Sequence, residues 1–402
     1  MLFFIAGLNY ADRAAITAVF PLLRNDLGLT DMQMAATGSL FLWAYALGSP
    51  FAGRLADRIS RSRMVVVSLL CWSLITLAAG FSASTGQLLA TRVCLGIAEC
   101  AYLPAAVALI ADHHSAQSRA TAMGVHLAGL NFGLVAGGAL AGYLGERYGW
   151  RWSFLLLGGA GLVLAGVAKL VLVDGTGDHS RRTVASFSSA ARALGFVRSY
   201  WVTLAQAMII AIGVWMFINW LPLYFRETFQ MSLAGAGFSG TFMLQGAATL
   251  GILVGGYLSD RIAGTHRERR MLFQSVCYFF AAPFLLAFLA QPGYGLISAC
   301  IFGFSFLRAV GASNEHAIVC DLLPTELRST AVGAMNTFNC MAGGAGILLA
   351  GELKGSLGLG SVFASIAGLT VFAGGLTLLG YLFLIRQDLD RRNKLVAQQE
   401  LA

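Results

Sequence analysis

Arg92 and Glu99 lie seven residues apart in a stretch that is otherwise apolar, and Asp12 and Arg13 interrupt another such stretch near the start of the chain. An ionised side chain at the centre of a bilayer costs roughly 2.5–3.5 kcal/mol or more, so such residues mark functional positions. Two acids and two arginines in apolar surroundings specify a polar cavity that handles protons and anions. A carboxylate withdrawn from water holds its proton more tightly, and a neighbouring guanidinium opposes that effect. If an incoming anion occupies the guanidinium, the acid loses its partner and can keep a proton. Each pKa unit of such coupling is about 1.4 kcal/mol. Arginine suits a carboxylate because its planar fork meets two oxygens at once. The alternative for the same four residues is a set of static pairs that lock helices together.

The elements that must position them are membrane spans. Of the 402 residues, 57% are hydrophobic and 11% charged, and the mean hydropathy is +0.72. Soluble domains carry about 25% charged residues, so the fold class is an all-α integral membrane protein. Each span needs roughly 20 apolar residues. Twelve are predicted: Leu2–Leu23, Ala36–Gly53, Met64–Phe81, Gln87–Ala111, Thr121–Gly142 and Trp152–Val173, then Trp201–Tyr224, Phe238–Tyr257, Met271–Ala290, Gly295–Ile318, Ser329–Gly351 and Val362–Ile385. Residues 1–173 form a first six-helix bundle, 174–199 a polar linker, and 200–402 a second bundle with a short tail. The first run lacks the basic lead of a cleavable signal, and a short cytoplasmic lead is expected ahead of it. Nineteen of the 27 Lys and Arg fall in one alternate set of loops and the tail, five in the other set, and Arg13, Arg92 and Arg308 within spans. By the positive-inside rule, both termini are cytoplasmic. This distribution, rather than the net charge of +8, argues against nucleic acid as a partner. The seven cysteines make no CxxC pair or metal-like cluster and read as small buried apolar residues; no metal is expected.

The halves repeat each other. Gly53-x-Leu-x-Asp57-Arg58 recurs as Gly256-x-Leu-x-Asp260-Arg261, and Asp112, Arg119, Thr121, Ala122 and Gly124 recur as Asp321, Arg328, Thr330, Ala331 and Gly333. Two matched motifs in one order indicate duplication. Parallel six-span repeats with a central site describe a transporter architecture. The short charged motifs, with Arg61 and Arg63, are suited to bonding helix ends and holding one conformation closed. Asp260 with Arg261, and Asp112 or Asp321 with Arg119 or Arg328, are the expected gating pairs.

The Gly-x-Leu-x-Asp-Arg motif, its copy and the twelve spans resemble the major facilitator superfamily along the whole chain. Asn9-Tyr10-Ala11-Asp12-Arg13, Arg92 with Gly96-x-x-Glu99, Gly149-Trp150-Arg151 and Trp220-Leu221-Pro222-Leu223-Tyr224 resemble the organic anion:cation symporters, a group of hexuronate, galactonate and phthalate carriers with sialin-like relatives. Bacterial spinster-like transporters share the first two motifs, and Tyr102 followed by Pro104 leans towards them. The resemblance implies two pseudo-symmetric bundles and alternating access. It further implies symport of a small organic anion with protons, the only coupling agent expected and with no cofactor, through Asp12 and Glu99. Arg13 and Arg92 would set those acids and attract the anion. It also implies a monomer in the bacterial inner membrane.

Arg308 takes the repeat position of Glu99 and reads either as a second anion contact or as a partner for Glu315. Tyr10, Tyr45, Tyr102, Asn131, Gln245, Asn336 and Asn339 are the candidate cavity-lining residues, with interhelical bonding as the alternative for each. His126 reads as a packing residue. Gly129, Gly133 and Gly137 should let their helix approach a neighbour closely. Phe132-Gly133-Leu134 lacks the Gly-Pro motif of drug antiporters. A spinster-like carrier of lysolipids, with a greasier cavity open to the bilayer, is the alternative among transporters; a non-transporting sensor is the alternative outside them. No HExxH, GxSxG or P-loop supports an enzyme.

Overall fold

At membrane depth no water is available to backbone groups, so an apolar run must bond its own N–H and C=O groups, as a helix does. The computed structural model describes residues 1–56, 60–115, 118–174, 194–290 and 292–400, and among these no strand occurs. The linker expected over 174–199 falls largely outside the described residues, as do Asp57 and Arg58. The first six spans are α1 (Leu2–Ala18) continued by α2 (Phe20–Leu27), α3 (Asp31–Ala56), α4 (Arg61–Gly80), α5 (Thr85–Glu99) continued by α6 (Tyr102–His113), α7 (Arg119–Tyr148) and α8 (Trp150–Val171). Then come α9 (Arg198–Phe229), α10 (Leu233–Ala263), α11 (Arg269–Ala281) with a 3₁₀ extension (Ala282–Ala290), α12 (Tyr294–Ala312) continued by α13 (Glu315–Leu322), and α14 (Thr325–Phe383). α14 holds the last two spans, parted at Gly358, whose φ of 72° and ψ of 156° only glycine adopts readily. The tail is α15 (Ile385–Glu400).

Helix starts follow local chemistry. Thr30 and Gln33 cap α3 reciprocally: the Gln33 N–H donates to the Thr30 hydroxyl at 3.2 Å and the Thr30 N–H to the Gln33 amide oxygen at 3.0 Å. Ser84 caps α5 through the Gln87 N–H. Several helices outrun the predicted spans, as α7 does to Tyr148, because their ends stay helical beyond the apolar core.

Large apolar side chains face outward along the spans, among them Leu170 (84% exposed), Val163 and Phe51 (both 70%). Soluble proteins rarely expose such contiguous apolar surface; here lipid covers it. Cys71 and Cys94, expected to be buried, are exposed on helix surfaces instead.

Two compact units are distinguished: residues 1–180 with 215–242 and 343–359, and residues 181–214 with 243–342 and 360–402. In the first, α1 packs along α7, α4 along α8, and α3 along α5. The glycines of α7 set the first contact, as expected. A Cβ at Gly133 would come within 2.0 Å of the Gly7 carbonyl oxygen, and one at Gly137 within 2.3 Å of the Ala11 Cα. Gly96 lets α5 reach the backbone of Phe41 on α3, 2.4 Å from where its Cβ would be. These approaches bring the residues beside Gly7, Ala11 and Gly96, namely Asp12, Arg13, Arg92 and Glu99, into one place. In the second unit, α11 packs on α12 and on its own 3₁₀ extension, and α13 on α15.

Candidate functional site

The four charged residues of spans 1 and 4 form one cluster in the first unit. Arg13 Nε and Nη2 each lie 2.9 Å from Glu99 Oε2, and Nη2 also donates to Asn9 Oδ1 at 3.2 Å. Asn9 is one helical turn before Arg13, so both face the same way. Three rings enclose the guanidinium, with centroids 4.5 Å (Tyr10), 4.8 Å (Phe41) and 5.0 Å (Tyr45) from its Cζ. Each such contact adds about 0.5–2 kcal/mol, more where water is excluded. The Glu99 side chain is fully buried, whereas that of Arg13 keeps 10% exposure. Arg13 is therefore the more accessible charge of this pair.

Asp12, the residue before Arg13 on α1, accepts from the Thr76 hydroxyl of α4 at 3.2 Å. Arg92 is buried, with its Cζ 5.5 Å from the Phe154 ring centroid. Its charge acts on both Asp12 and Glu99, but its Nε and Nη2 have no hydrogen-bond partner. Four charges therefore sit together, two of each sign. The residues that sequence reasoning missed here are Phe41, Asn9 as a partner of Arg13, and Thr76. Asn9 had a signal, standing four residues before Arg13; Thr76 had none.

The other candidates divide. Tyr10 and Tyr45 belong to the ring enclosure. Tyr102 is buried, donates to the Leu2 carbonyl at 3.2 Å and packs on Trp72 and His126; it ties α6 to the start of α1. His126 is buried beside it, as a packing residue would be. Asn131 on α7 is partly buried. In the second unit Gln245 and Asn339 are partly buried, Asn336 is exposed, and Asn339 Oδ1 has no hydrogen-bond partner. Arg308 forms no ion pair among the described residues. Two cavities of the first unit lie away from the charged cluster. One, of about 440 Å³, is at the Asp26–Trp150 end; the other, of about 530 Å³, is an apolar groove between α1, α7 and α8.

At the end that carries the basic loops, the repeat extends to individual bonds. Arg61 pairs with Asp112, and Asp321, at the repeat position of Asp112, lies 3.3 Å from Arg270 and 3.3 Å from Arg267. Arg119 donates to the Ala111 carbonyl at 3.1 Å and Arg328 to the Leu323 carbonyl at 3.1 Å, each closing the end of a preceding helix. The expected pairings therefore need correction: Asp112 and Asp321 take Arg61 and Arg270, while Arg119 and Arg328 hold carbonyls. Asp260 pairs with Arg270 at 2.7 Å rather than with Arg261, which reaches the Tyr257 hydroxyl at 3.3 Å. Adjacent helical residues point in different directions, so Asp260 and Arg261 cannot face each other. Gly53 lies in the last turn of α3, which runs to Ala56; Asp57 and Arg58 lie outside the described residues.

At the opposite end, Gly149-Trp150-Arg151 has a structural role. Trp150 Nε1 donates to Asp26 at 2.9 Å and Arg151 pairs with the same carboxylate. The Trp150 hydrogen bond, followed by the Arg151 guanidinium, holds the Asp26 carboxyl below the usual carboxylate range. A carboxylate with a depressed folded-state pKa adds stability above its unfolded pKa and loses it as pH falls through the folded value. Acidification below about pH 4 should therefore lower the melting temperature of the parent more than that of Asp26→Asn, and high salt should shrink the difference. A second set joins Lys354 Nζ to Asp31 at 3.1 Å and Glu227 at 2.9 Å, with Arg24 pairing with Asp31 and lying 3.8 Å from Glu227. Beneath it Trp220 packs against Phe20, 5.8 Å between centroids, and donates to the Ile347 carbonyl at 3.2 Å.

The model of the Major Facilitator Superfamily matches residues 2–347 and 250–400 of this chain. A probable galactarate/D-glucarate transporter of Bacillus subtilis (strain 168) is 27% identical, over 96% of this chain and 90% of its own length. The D-galactonate transporter of Escherichia coli O6:H1 is 24% identical, over 95% and 93%. Among solved structures, an inward-facing, unoccupied bacterial homologue of the human lysosomal transporter Spinster matches with a TM-score of 0.80 at 21% identity, covering 96% of this chain and 95% of that one. The last of these shows a shared fold.

Proposed function

The chain belongs to the Major Facilitator Superfamily, as a multi-pass membrane transporter rather than an enzyme, and from that footing we propose that it carries small organic anions, sugar acids first among them, coupled to protons by alternating access. The observation that carries this is the Arg13–Glu99 pair: a buried carboxylate bound to an arginine that keeps an exposed edge. A substrate carboxylate that takes the Arg13 fork displaces Glu99 from it. Asp12, Glu99, Arg13 and Arg92 are neutral as a set, so one added anion leaves one negative charge in excess. Unbalanced charge is costly where the dielectric is low. A proton on Glu99 or Asp12 restores neutrality and makes loading by anion and proton mutually favourable. Arg92 supplies the fixed positive charge that both acids share. Thr76 and Asn9 orient the acid of α1 and the arginine. The names of the sugar-acid relatives support the choice of substrate class.

With the basic loops on the cytoplasmic side of a bacterial inner membrane, the Lys354–Asp31–Glu227–Arg24 set faces outward, and each turnover must separate it. A partly exposed pair contributes about 1 kcal/mol. Lys354→Met should therefore raise the outward-open fraction roughly fivefold, read as faster labelling from outside of a cysteine placed at Phe20. Unchanged labelling would remove this set from the gate.

The substrate class is tested by uptake of labelled galactarate and galactonate into proteoliposomes. Saturable uptake, blocked by unlabelled sugar acids and not by neutral hexitols, is the expected result. Block by lysophospholipids, with sugar acids inert, would overturn the assignment in favour of amphiphiles.

A further inference from the structure

The second unit holds a polar cluster that the scheme above does not use. Span 10 is interrupted by a turn at Ser313–Asn314, and Glu315 opens α13 directly after it. Glu315 Oε1 accepts from the Tyr278 hydroxyl of α11 at 3.2 Å and from Gln206 Nε2 of α9 at 3.4 Å. Gln274, one turn before Tyr278, donates to the same hydroxyl at 3.1 Å. Gln206, Gln274 and Tyr278 are fully buried. Glu315 and Arg308 are partly buried. The titratable groups that act on Glu315 are His316 from its own helix and Arg308 from α12. Arg308 makes no ion pair with it among the described residues, and Arg308 Nε has no hydrogen-bond partner.

Two features make this more than a structural knot. First, the cluster is short of donors: the amide oxygens of Gln206 and Gln274 are both buried without a partner, and burying an acceptor unpaired is unfavourable. A proton on Glu315 turns an acceptor into a donor where donors are lacking. Second, span 4 also carries a carboxylate beside a helix junction: Glu99 stands just before the α5–α6 junction at Cys100–Ala101, and Glu315 just after the α12–α13 junction, seven residues beyond Arg308 at the repeat position of Glu99. Each repeat thus sets one carboxylate beside the junction of its fourth span. We infer that Glu315 is a second proton-binding site of this protein, separate from the Asp12–Glu99 cluster, with Tyr278 and Gln206 as its hydrogen-bond partners.

Infrared difference spectroscopy between acid and neutral pH, on purified protein without substrate, reads carboxyl protonation directly and does not depend on the transport scheme. A protonated-carboxyl band that survives in the Asp12→Asn/Glu99→Gln double variant and disappears on adding Glu315→Gln is expected. Tyr278→Phe, which removes one hydrogen bond and little volume, should shift that band; this variant decides the matter if Glu315→Gln does not fold. A spectrum unchanged by Glu315→Gln, or by Tyr278→Phe in that case, overturns the inference. Displacement of the band by sodium at constant pH overturns it too, in favour of a metal-cation site.

Discussion

Glu99→Gln should abolish accumulation driven by a pH gradient, by about a hundredfold, while leaving substrate exchange across the membrane in place. A hundredfold loss of accumulation corresponds to about 2.7 kcal/mol of lost coupling between anion and proton, and a neutral amide at this position cannot carry that coupling. Exchange needs no net proton movement and should survive. The variant should still fold, because Arg13 keeps Asn9 Oδ1 at 3.2 Å and the rings of Tyr10, Phe41 and Tyr45. Asp12→Asn should act in the same direction, since it removes the other acid that Arg92 serves. Uptake at matched and unmatched pH, in parallel for both variants, distinguishes loss of coupling from loss of binding. Full gradient-driven accumulation in both would leave the cluster as a static pair that ties α1 to α5.

Gly133→Ala should cost stability out of proportion to one methyl group. Its Cβ would come within 2.0 Å of the Gly7 carbonyl oxygen, and a backbone atom cannot rotate away as a side chain can. Overpacking of this kind costs about 1–3 kcal/mol, and more when backbone must move. The movement falls on α1, so Asp12 and Arg13 shift with it and transport falls along with stability. Gly159→Ala is the control, because nothing lies within 4 Å of its Cβ, and helix propensity alone favours alanine there. Thermal unfolding in detergent should separate the two variants by several degrees. Equal melting temperatures would mean that the α1–α7 approach is not required.

Much of this site is legible in the chain because charge is so rare in it. Asp12, Arg13, Arg92 and Glu99 stand out from apolar surroundings, and bilayer energetics alone marks them. The repeat is legible too, since Asp112 with Arg119 and Asp321 with Arg328 keep one register. The bonds are less so. Spacing suggested Asp112 with Arg119, yet Arg61 takes the acid and Arg119 turns to a carbonyl, which no local pattern encodes. Thr76 is one of several hydroxyls on a helix that is apolar on every face, so periodicity cannot say which of them meets Asp12. The same ambiguity placed Tyr102 among cavity residues, whereas its hydroxyl is spent on the Leu2 carbonyl. Polar residues in a span can face a cavity, a neighbouring helix or lipid, and the sequence distinguishes these only when a partner is charged.

Proton flux tests the coupling most directly. Proteoliposomes holding a pH-sensitive dye would be challenged with galactarate, galactonate and simple carboxylates under a clamped membrane potential. Internal acidification on adding one of these anions, absent in Glu99→Gln, is the expected result. Uptake of the same anion with no change in internal pH would contradict proton coupling through Glu99 and leave a transporter driven by the substrate gradient alone.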